Sequence, residues 1–188
     1  MSARIARTAM ALGLAPLVLV AGGHADGAPT AVAGGQGFGF LDDVSARSAT
    51  DVWAVGVGSD TETKTLIQHF DGTSWRRVPS PSPGDYAELL GVDALAEDDA
   101  WAGGYATAGG ASETCVEHWD GTAWTQVPVR APGTESELMA VSAVSSSDVW
   151  AVGVYWDVNF VMYTLVVHWD GSAWTQSAIA ISALKPQR

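Results

Sequence analysis

The feature that most constrains the fold of this chain is a phrase of seven residues that occurs three times. It reads HFDGTSW at 69–75, HWDGTAW at 118–124 and HWDGSAW at 168–174. A further tryptophan precedes each phrase by 16 to 18 residues, and these tryptophans are 48 and 49 residues apart. They are Trp53, Trp101 and Trp150. A regular period of about 50 residues predicts a repeat protein in which each repeat is one supersecondary unit.

Within one repeat, four short stretches have the pattern of β-strands. In the second repeat they are LLGVDAL, DAWAGGY, CVEHW and AWTQV, and an Asp-Gly pair lies between the last two. Such a pair between two β-like runs is a strong hairpin signal, because glycine accepts the positive φ of a primed turn. Four strands per repeat, with no helical stretch after residue 25, predict an all-β fold of three four-stranded propeller-type blades.

The repeat alignment also sets the expected domain organisation. It divides the chain into blades at 41–88, 89–137 and 138–188, preceded by a Gly-rich segment at 26–40 that has no convincing strand pattern. Three blades do not close the usual ring of about four to eight. The chain is therefore expected to be either a partial propeller or half of a six-bladed ring. An open arc of blades would leave an apolar face at each end. Soluble monomers rarely expose an apolar patch larger than a few hundred Å².

The phrases DVWAVG and HWDGTAW resemble the repeats of secreted bacterial β-propellers near the kelch and galactose oxidase superfamily. The Asp-Gly-x-x-Trp part is similar to the Asp-box of sialidase-type propellers, with histidine where an Asp-box has Ser or Thr. The resemblance extends from Leu41 to about Ser177. It implies a propeller fold but no particular activity, since propellers include lectins, scaffolds and enzymes.

Residues 1–25 have the composition of a secretory signal peptide. Arg4 and Arg7 precede an apolar run, and small residues end it near Ala25, with a second possible cleavage site at 31–33. Glycine and proline interrupt the run, which is too short to span a bilayer comfortably. We therefore expect a secreted, extracellular protein with no membrane span after signal cleavage.

Charge and cysteine content restrict the partners and the source of stability. The chain has 21 acidic and 9 basic residues, a net charge of −12. An acidic surface repels phosphate backbones, so nucleic acid is not an expected partner. Cys115 is the single cysteine and occupies the position of Leu66 and Leu165 in the other repeats. It is expected to be a small buried core residue, and packing is expected to provide the stability.

Most repeated residues have an expected structural role. Six tryptophans at two repeat positions are expected in the blade cores, because few other large side chains are available there. They are Trp53, Trp75, Trp101, Trp124, Trp150 and Trp174. The repeated histidines His69, His118 and His168 would lie in different blades, so they are expected to bond within each hairpin turn rather than bind metal. The repeated aspartates Asp71, Asp120 and Asp170 are expected turn formers. No catalytic residues, metal site or cofactor are predicted.

The connection between the second and third strands is unusual in the third repeat. It reads YWDVNFVMYT at 155–164, whereas the other repeats have polar, flexible connections there. Aromatic rings beside a carboxylate and an amide suit sugar rings or a peptide, although these residues could instead lengthen the hairpin and pack on a neighbouring blade. In a meander, the connections between blades lie at the same end. The candidate ligand-binding residues are therefore Tyr86, Tyr155, Trp156, Asp157, Asn159, Phe160 and Tyr163.

Three functions remain open from the sequence. The first is an extracellular binding or interaction module on a β-propeller scaffold, with a carbohydrate or a protein as ligand. The second is a fragment of a propeller enzyme of glycosidase or lyase type, which would need a pair of carboxylates about 5–9.5 Å apart in a pocket. The third is a structural subunit that self-associates, for example as a homodimer that completes a ring.

Overall fold

The structure is a computed structural model, and it describes residues 38–59 and 63–178. The expected signal peptide, residues 26–37 of the Gly-rich segment and the last ten residues lie outside the described residues. Within the described ranges the regular structure consists of twelve β-strands. The strand β1 already begins at Phe38, so the last three residues of the Gly-rich segment belong to the first blade.

The strands form three four-stranded antiparallel sheets, one for each repeat. Blade 1 contains β1 (Phe38–Ser48), β2 (Asp51–Ser59), β3 (Thr63–Phe70) and β4 (Trp75–Arg77). Blade 2 contains β5 (Tyr86–Ala96), β6 (Asp99–Ala108), β7 (Ala111–Trp119) and β8 (Trp124–Gln126). Blade 3 contains β9 (Glu135–Ser145), β10 (Asp148–Trp156), β11 (Met162–Trp169) and β12 (Trp174–Gln176). Each strand pairs with the next in sequence, which confirms the all-β, three-blade prediction.

One glycine in the second strand of each blade is required by a close approach of the backbone. Gly104 pairs with Leu89, beside a β-bulge in β5. A Cβ atom at Gly104 would lie 1.9 Å from the carbonyl oxygen of Glu88, far inside van der Waals contact. Gly56 and Gly153, at the same repeat position, have the same close contact with the first strand of their own blades.

Replacing Gly104 by alanine is therefore expected to lower the free energy of unfolding by about 3 kcal/mol or more, because the clash is with backbone. Gly58→Ala is the matched control, since a methyl group there would make only ordinary contacts with Leu66, the nearest at 3.5 Å. Urea denaturation followed by tryptophan fluorescence measures both changes. Equal losses of unfolding free energy for the two variants would contradict the requirement for glycine at position 104.

The hydrophobic core consists of two layers, each between neighbouring blades. The buried residues of the layer between blades 1 and 2 are Trp53, Val55, Ile67, Leu89, Val92, Ala100, Ala102 and Trp124. Those of the layer between blades 2 and 3 are Trp101, Val116, Leu138, Val149, Ala151, Leu165, Val167 and Trp174. The repeat thus builds the same layer twice, which is how repeats that cannot bury an apolar face alone become stable.

The core role predicted for the repeated tryptophans is confirmed for four of the six. Trp53, Trp101, Trp124 and Trp174 are buried. Trp150 is 39% exposed and Trp75 is half-buried. These two belong to blades 3 and 1, and among the described residues no further blade covers the outer faces of those blades. Burial therefore depends on which blade carries the tryptophan.

Two polar or polarisable side chains of β7 are buried toward blade 1. Cys115 is 1% exposed, as predicted, and desolvation, with a smaller contribution from Glu117, raises the pKa of its thiol to about 12. Glu117 is fully buried, and both its carboxyl oxygens lack a hydrogen-bond partner among the described residues. Desolvation raises the pKa of Glu117 to about 8. Glu117 is therefore mostly protonated at neutral pH.

Candidate functional site

Each repeated histidine bonds an aspartate and stacks on a tryptophan. The Nε2-to-carboxylate distances are 2.8, 2.9 and 2.8 Å for the pairs His69–Asp51, His118–Asp99 and His168–Asp148. The centroids of the three imidazole rings lie 4.2–4.3 Å from the ring centroids of Trp53, Trp101 and Trp150, respectively. Each histidine bonds within its own blade, but the predicted partner is wrong. The observed partner is the aspartate that begins the second strand, whereas the prediction was a group in the hairpin turn. Strand pairing brings the two together, because the histidine lies opposite the tryptophan two residues after that aspartate.

The aspartates of the Asp-Gly phrases form turns, as predicted. Asp120 Oδ1 accepts hydrogen bonds from the Thr122 hydroxyl at 2.6 Å and from the Thr122 and Ala123 amides at 2.8 and 2.9 Å. These bonds, the hydroxyl first, lower the pKa of Asp120 to about 2. Asp71 and Asp170 have the same arrangement and similarly low pKa values. One carboxylate oxygen of each aspartate, Oδ1, is therefore occupied by the turn.

The unusual connection of the third repeat is a hairpin between β10 and β11. We refer to residues 155–163 as the blade 3 hairpin; Tyr155 and Trp156 end β10, and Tyr163 is the second residue of β11. Asp157 Oδ1 accepts hydrogen bonds from the amides of Asn159 (2.8 Å) and Val161 (3.0 Å). The Val161 amide bond is the largest cause of the lowered pKa of Asp157. Asp157 therefore organises the turn.

The tip of the blade 3 hairpin exposes apolar side chains. Phe160 is 78% exposed, Val158 76% and Met162 61%. Phe160 has a φ of 60°, in the left-handed region that a bulky residue rarely adopts. Its amide donates a hydrogen bond to the Asp157 carbonyl at 3.0 Å, which holds the turn in this conformation. The tip is an apolar surface on a backbone fixed by hydrogen bonds.

The aromatic residues of the hairpin divide between the two faces of blade 3. Tyr155 stacks on Tyr163, with ring centroids 5.2 Å apart, and packs against the core layer between blades 2 and 3. Trp156 is the next residue of β10 and so projects from the opposite face. Packing on a neighbouring blade, which the sequence left as an alternative, therefore occurs for Tyr155.

A cleft lies beside the blade 3 hairpin. The connection between blades 2 and 3 reaches it through Thr134, whose amide donates a hydrogen bond to the Trp156 carbonyl at 2.8 Å. This contact confirms that hairpins and interblade connections lie at the same end. The cleft, of about 360 Å³, is lined by this connection and by the start of β7, with Glu113, Arg130 and Glu135 as its charged residues. Gly133 lines the cleft and lies against Tyr155.

Tyr86, the remaining candidate, belongs to a cluster in blade 2. It stacks on Tyr105 at 5.6 Å, and both hydroxyls donate hydrogen bonds to Glu88 Oε2, at 2.7 and 2.8 Å. Desolvation, then the bond to Glu88, raises the pKa of Tyr86 to about 12. Asp42 adjoins the cluster; partial desolvation and then the Glu88 carboxylate raise its pKa.

Tyr105, Glu88 and Asp42 were not among the site residues predicted from the sequence. Tyr105 pairs directly with Glu88 across β5 and β6, and Tyr86 precedes Glu88 by two residues on β5. Strand alternation could therefore have placed Tyr86 and Glu88 on one face. The register that adds Tyr105 depends on the bulge in β5, which no local pattern of the sequence indicates.

Two further features are absent from the described part of the chain. Among residues 38–59 and 63–178, no three His, Cys, Asp or Glu side chains are grouped to hold a metal ion. Over the same ranges, no helix is long and apolar enough to cross a membrane.

The chain was compared with known families, curated proteins and solved structures. No protein-family model matches the sequence. No curated protein matches it either. A solved structure described as "YCF48 bound to D1 peptide" is similar with a TM-score of 0.49 and 14% sequence identity, over 73% of this chain and 39% of that chain. The chain thus spans about two fifths of the length of that structure.

Proposed function

We propose that this chain is an extracellular protein-interaction module in which the blade 3 hairpin contacts the partner. The proposal rests on one observation above all: the tip of this hairpin exposes Val158, Phe160 and Met162 on a turn that is fixed by hydrogen bonds. Exposed apolar clusters of this kind are typical of protein-binding sites. The extracellular location is supported by the signal-peptide pattern of residues 1–25.

The polar groups of the hairpin favour a protein over a carbohydrate. A sugar site needs hydrogen-bonding groups that are free to meet hydroxyls. Asp157 Oδ1 accepts two hydrogen bonds from backbone amides. Its Oδ2 lies 3.5 Å from the side-chain Nδ2 of Asn159 and 3.5 Å from the Tyr163 hydroxyl. The rest of the exposed hairpin tip is largely apolar, which favours contact with a protein partner.

The fixed conformation of the tip favours tight binding. A flexible loop loses conformational entropy when it binds, whereas a preorganised one has already lost it. Phe160 is held at a positive φ that costs about 1 kcal/mol or more for a bulky residue. Such strain clusters at functional sites, and here it directs a large aromatic side chain into solvent.

The cleft beside the hairpin supplies the polar rim that protein interfaces usually have. The lining of that cleft includes the charged residues Glu113, Arg130 and Glu135, and Gly133 of the same lining lies against Tyr155. Apolar contacts at the centre with charged groups around them are the common arrangement of transient protein interfaces. We therefore expect the partner to contact both the tip and this cleft.

The test is site-specific photo-crosslinking followed by reconstitution. A photoreactive phenylalanine analogue at position 160 should crosslink a protein, and the same analogue at Ala108, which is exposed in the corresponding hairpin of blade 2, should not. The crosslinked protein is then purified, and its affinity is measured by calorimetry with the parent chain and with Phe160→Asn. Asparagine tolerates a positive φ, so this variant removes the ring but keeps the turn.

Phe160→Asn is expected to weaken binding at least tenfold while the melting temperature stays the same. Equal affinities would contradict the proposal. A glycan-array signal that Trp156→Ala abolishes, without any crosslinked protein at position 160, would instead establish the carbohydrate alternative.

The enzyme alternative has a close carboxyl pair in Asp42 and Glu88, but two tyrosine hydroxyls already bond Glu88.

A further inference from the structure

The two blade interfaces inside this molecule are copies of one contact. At the first, Trp53 of blade 1 packs against Trp119 and Trp124 of blade 2, with ring centroids 5.1 and 5.2 Å apart. At the second, Trp101 of blade 2 packs against Trp169 and Trp174 of blade 3, at 5.4 and 5.8 Å. Each interface therefore joins one tryptophan to an aromatic pair on the next blade.

A hydrogen bond between the first strands of adjacent blades repeats as well. The Ala94 amide of blade 2 donates to the Ser45 hydroxyl of blade 1 at 3.1 Å. The Ala143 amide of blade 3 donates to the Asp93 carboxylate of blade 2 at 2.8 Å. Ser45 and Asp93 occupy the same repeat position, and so do Ala94 and Ala143.

The outer face of blade 3 carries one half of this contact. Trp150 occupies the position of Trp53 and Trp101 but is 39% exposed, and Val152 beside it is 43% exposed. Ser142, at the position of Ser45, is also exposed. This face has the tryptophan and the acceptor, without a blade upon it among the described residues.

The outer face of blade 1 carries the other half. Phe70 and Trp75 form an aromatic pair at 5.4 Å, at the positions of Trp119 and Trp124. Leu41 and Val44 are 55% and 60% exposed, whereas their equivalents in blade 2 are buried. Ala46, at the position of Ala94, is exposed and would present the donor amide.

We propose that blade 3 of one copy binds blade 1 of a second copy through this same contact, and that the reciprocal contact closes a ring of six blades. The proposal is independent of the hairpin function, because it uses the end faces of the blade array and not the hairpin tip. Trp150 would pack against Phe70 and Trp75 of the second copy, and the Ser142 hydroxyl would accept a hydrogen bond from the Ala46 amide. Two copies of the three described blades give six, which falls within the usual range of about four to eight blades, whereas three or nine do not.

The charge pattern is compatible with this closing contact. Between blades 1 and 2, Arg47 bonds Glu97 at 3.2 Å. At the closing contact the same two positions are held by Val144, which is 71% exposed, and Ala49. The new interface would therefore place one apolar residue against another and leave no unpaired charge at that point.

Disulfide trapping tests the geometry directly. In the full chain, Ser142→Cys with Ala46→Cys should form an intermolecular disulfide, whereas Ser45→Cys with Ala94→Cys should form an intramolecular one and serves as the calibrated control. Cys115 is buried and is not expected to compete. A covalent dimer on non-reducing gels supports the proposal. Its absence, when the control pair is oxidised, would overturn it.

Light scattering on the parent chain should give twice the monomer mass. Val44→Glu and, separately, Val152→Glu should each give a monomer with unchanged β-sheet circular dichroism, because both side chains are already partly exposed in one copy. Phe160→Asn should leave the dimer intact, which separates this proposal from the hairpin function. A parent chain that is monomeric at all concentrations, or that forms open-ended polymers, would overturn the closed ring.

Discussion

Trp101→Ala is expected to lower the free energy of unfolding by about 3–5 kcal/mol, whereas Trp150→Ala is expected to lower it by only about 1–2 kcal/mol. The two residues occupy the same repeat position and stack on equivalent histidines. Trp101 is 2% exposed and contacts two tryptophans of blade 3, while Trp150 is 39% exposed. The larger loss reflects the cavity left between two blades.

Both variants should be measured in the Val44→Glu background. If the proposed dimer forms, Trp150 is covered in the parent chain, and its replacement would then also cost the energy of association. Urea denaturation in a monomeric background removes that contribution. Equal losses at Trp101 and Trp150 would contradict the structure, in which Trp101 is buried between blades 2 and 3 and Trp150 lies on the outer face of blade 3.

Glu117→Val is expected to stabilise the protein by several kcal/mol at pH 9. The buried carboxyl has no hydrogen-bond partner among the described residues, so ionising it in the folded state is costly. The difference between its usual pKa of 4.5 and the folded-state pKa of about 8 corresponds to a cost of about 5 kcal/mol. Val167 occupies the same position in blade 3 and is fully buried.

The pH dependence of this difference has a definite sign. Because the folded-state pKa of Glu117 lies above the unfolded-state value, the folded state binds the extra proton. The cost of Glu117 is therefore absent below pH 4.5, grows between pH 4.5 and 8, and is complete above pH 8. The stabilities of parent and variant should converge toward a small, constant difference in acid and separate in base.

Denaturation curves at several pH values between 4 and 9 measure the effect. Glu113→Gln is the control, since Glu113 lies on the same strand but is exposed, and it should give no such separation. Burial raises the pKa of the Cys115 thiol to about 12 in the folded state, and its titration in the unfolded chain is common to parent and variant, so it cancels from the difference. A constant difference between parent and Glu117→Val across the whole range would mean that Glu117 reaches solvent or a partner in the folded state.

The sequence by itself determined the strands, the hairpins that join them and the number of blades. These are local or repeated features: the Asp-Gly turns, the alternation of apolar residues and the 48- and 49-residue spacing of Trp53, Trp101 and Trp150. The roles of Asp120 in its turn and of Cys115 in the core followed from the same comparison between repeats. Each depends on a few neighbouring residues or on equivalence between repeats, so each can be predicted without knowing what lies across a blade interface.

The tertiary structure decided what the repeated positions do in each blade. Trp101 and Trp150 have the same sequence context, yet only Trp101 is buried, because burial depends on whether another blade packs on that face. His118 bonds Asp99 because strand register brings them together across 19 residues. Register and neighbouring blades also place Tyr86 with Tyr105 and leave Phe160 exposed on the hairpin tip. Such contacts arise between distant segments, whose relative positions a local sequence pattern does not specify.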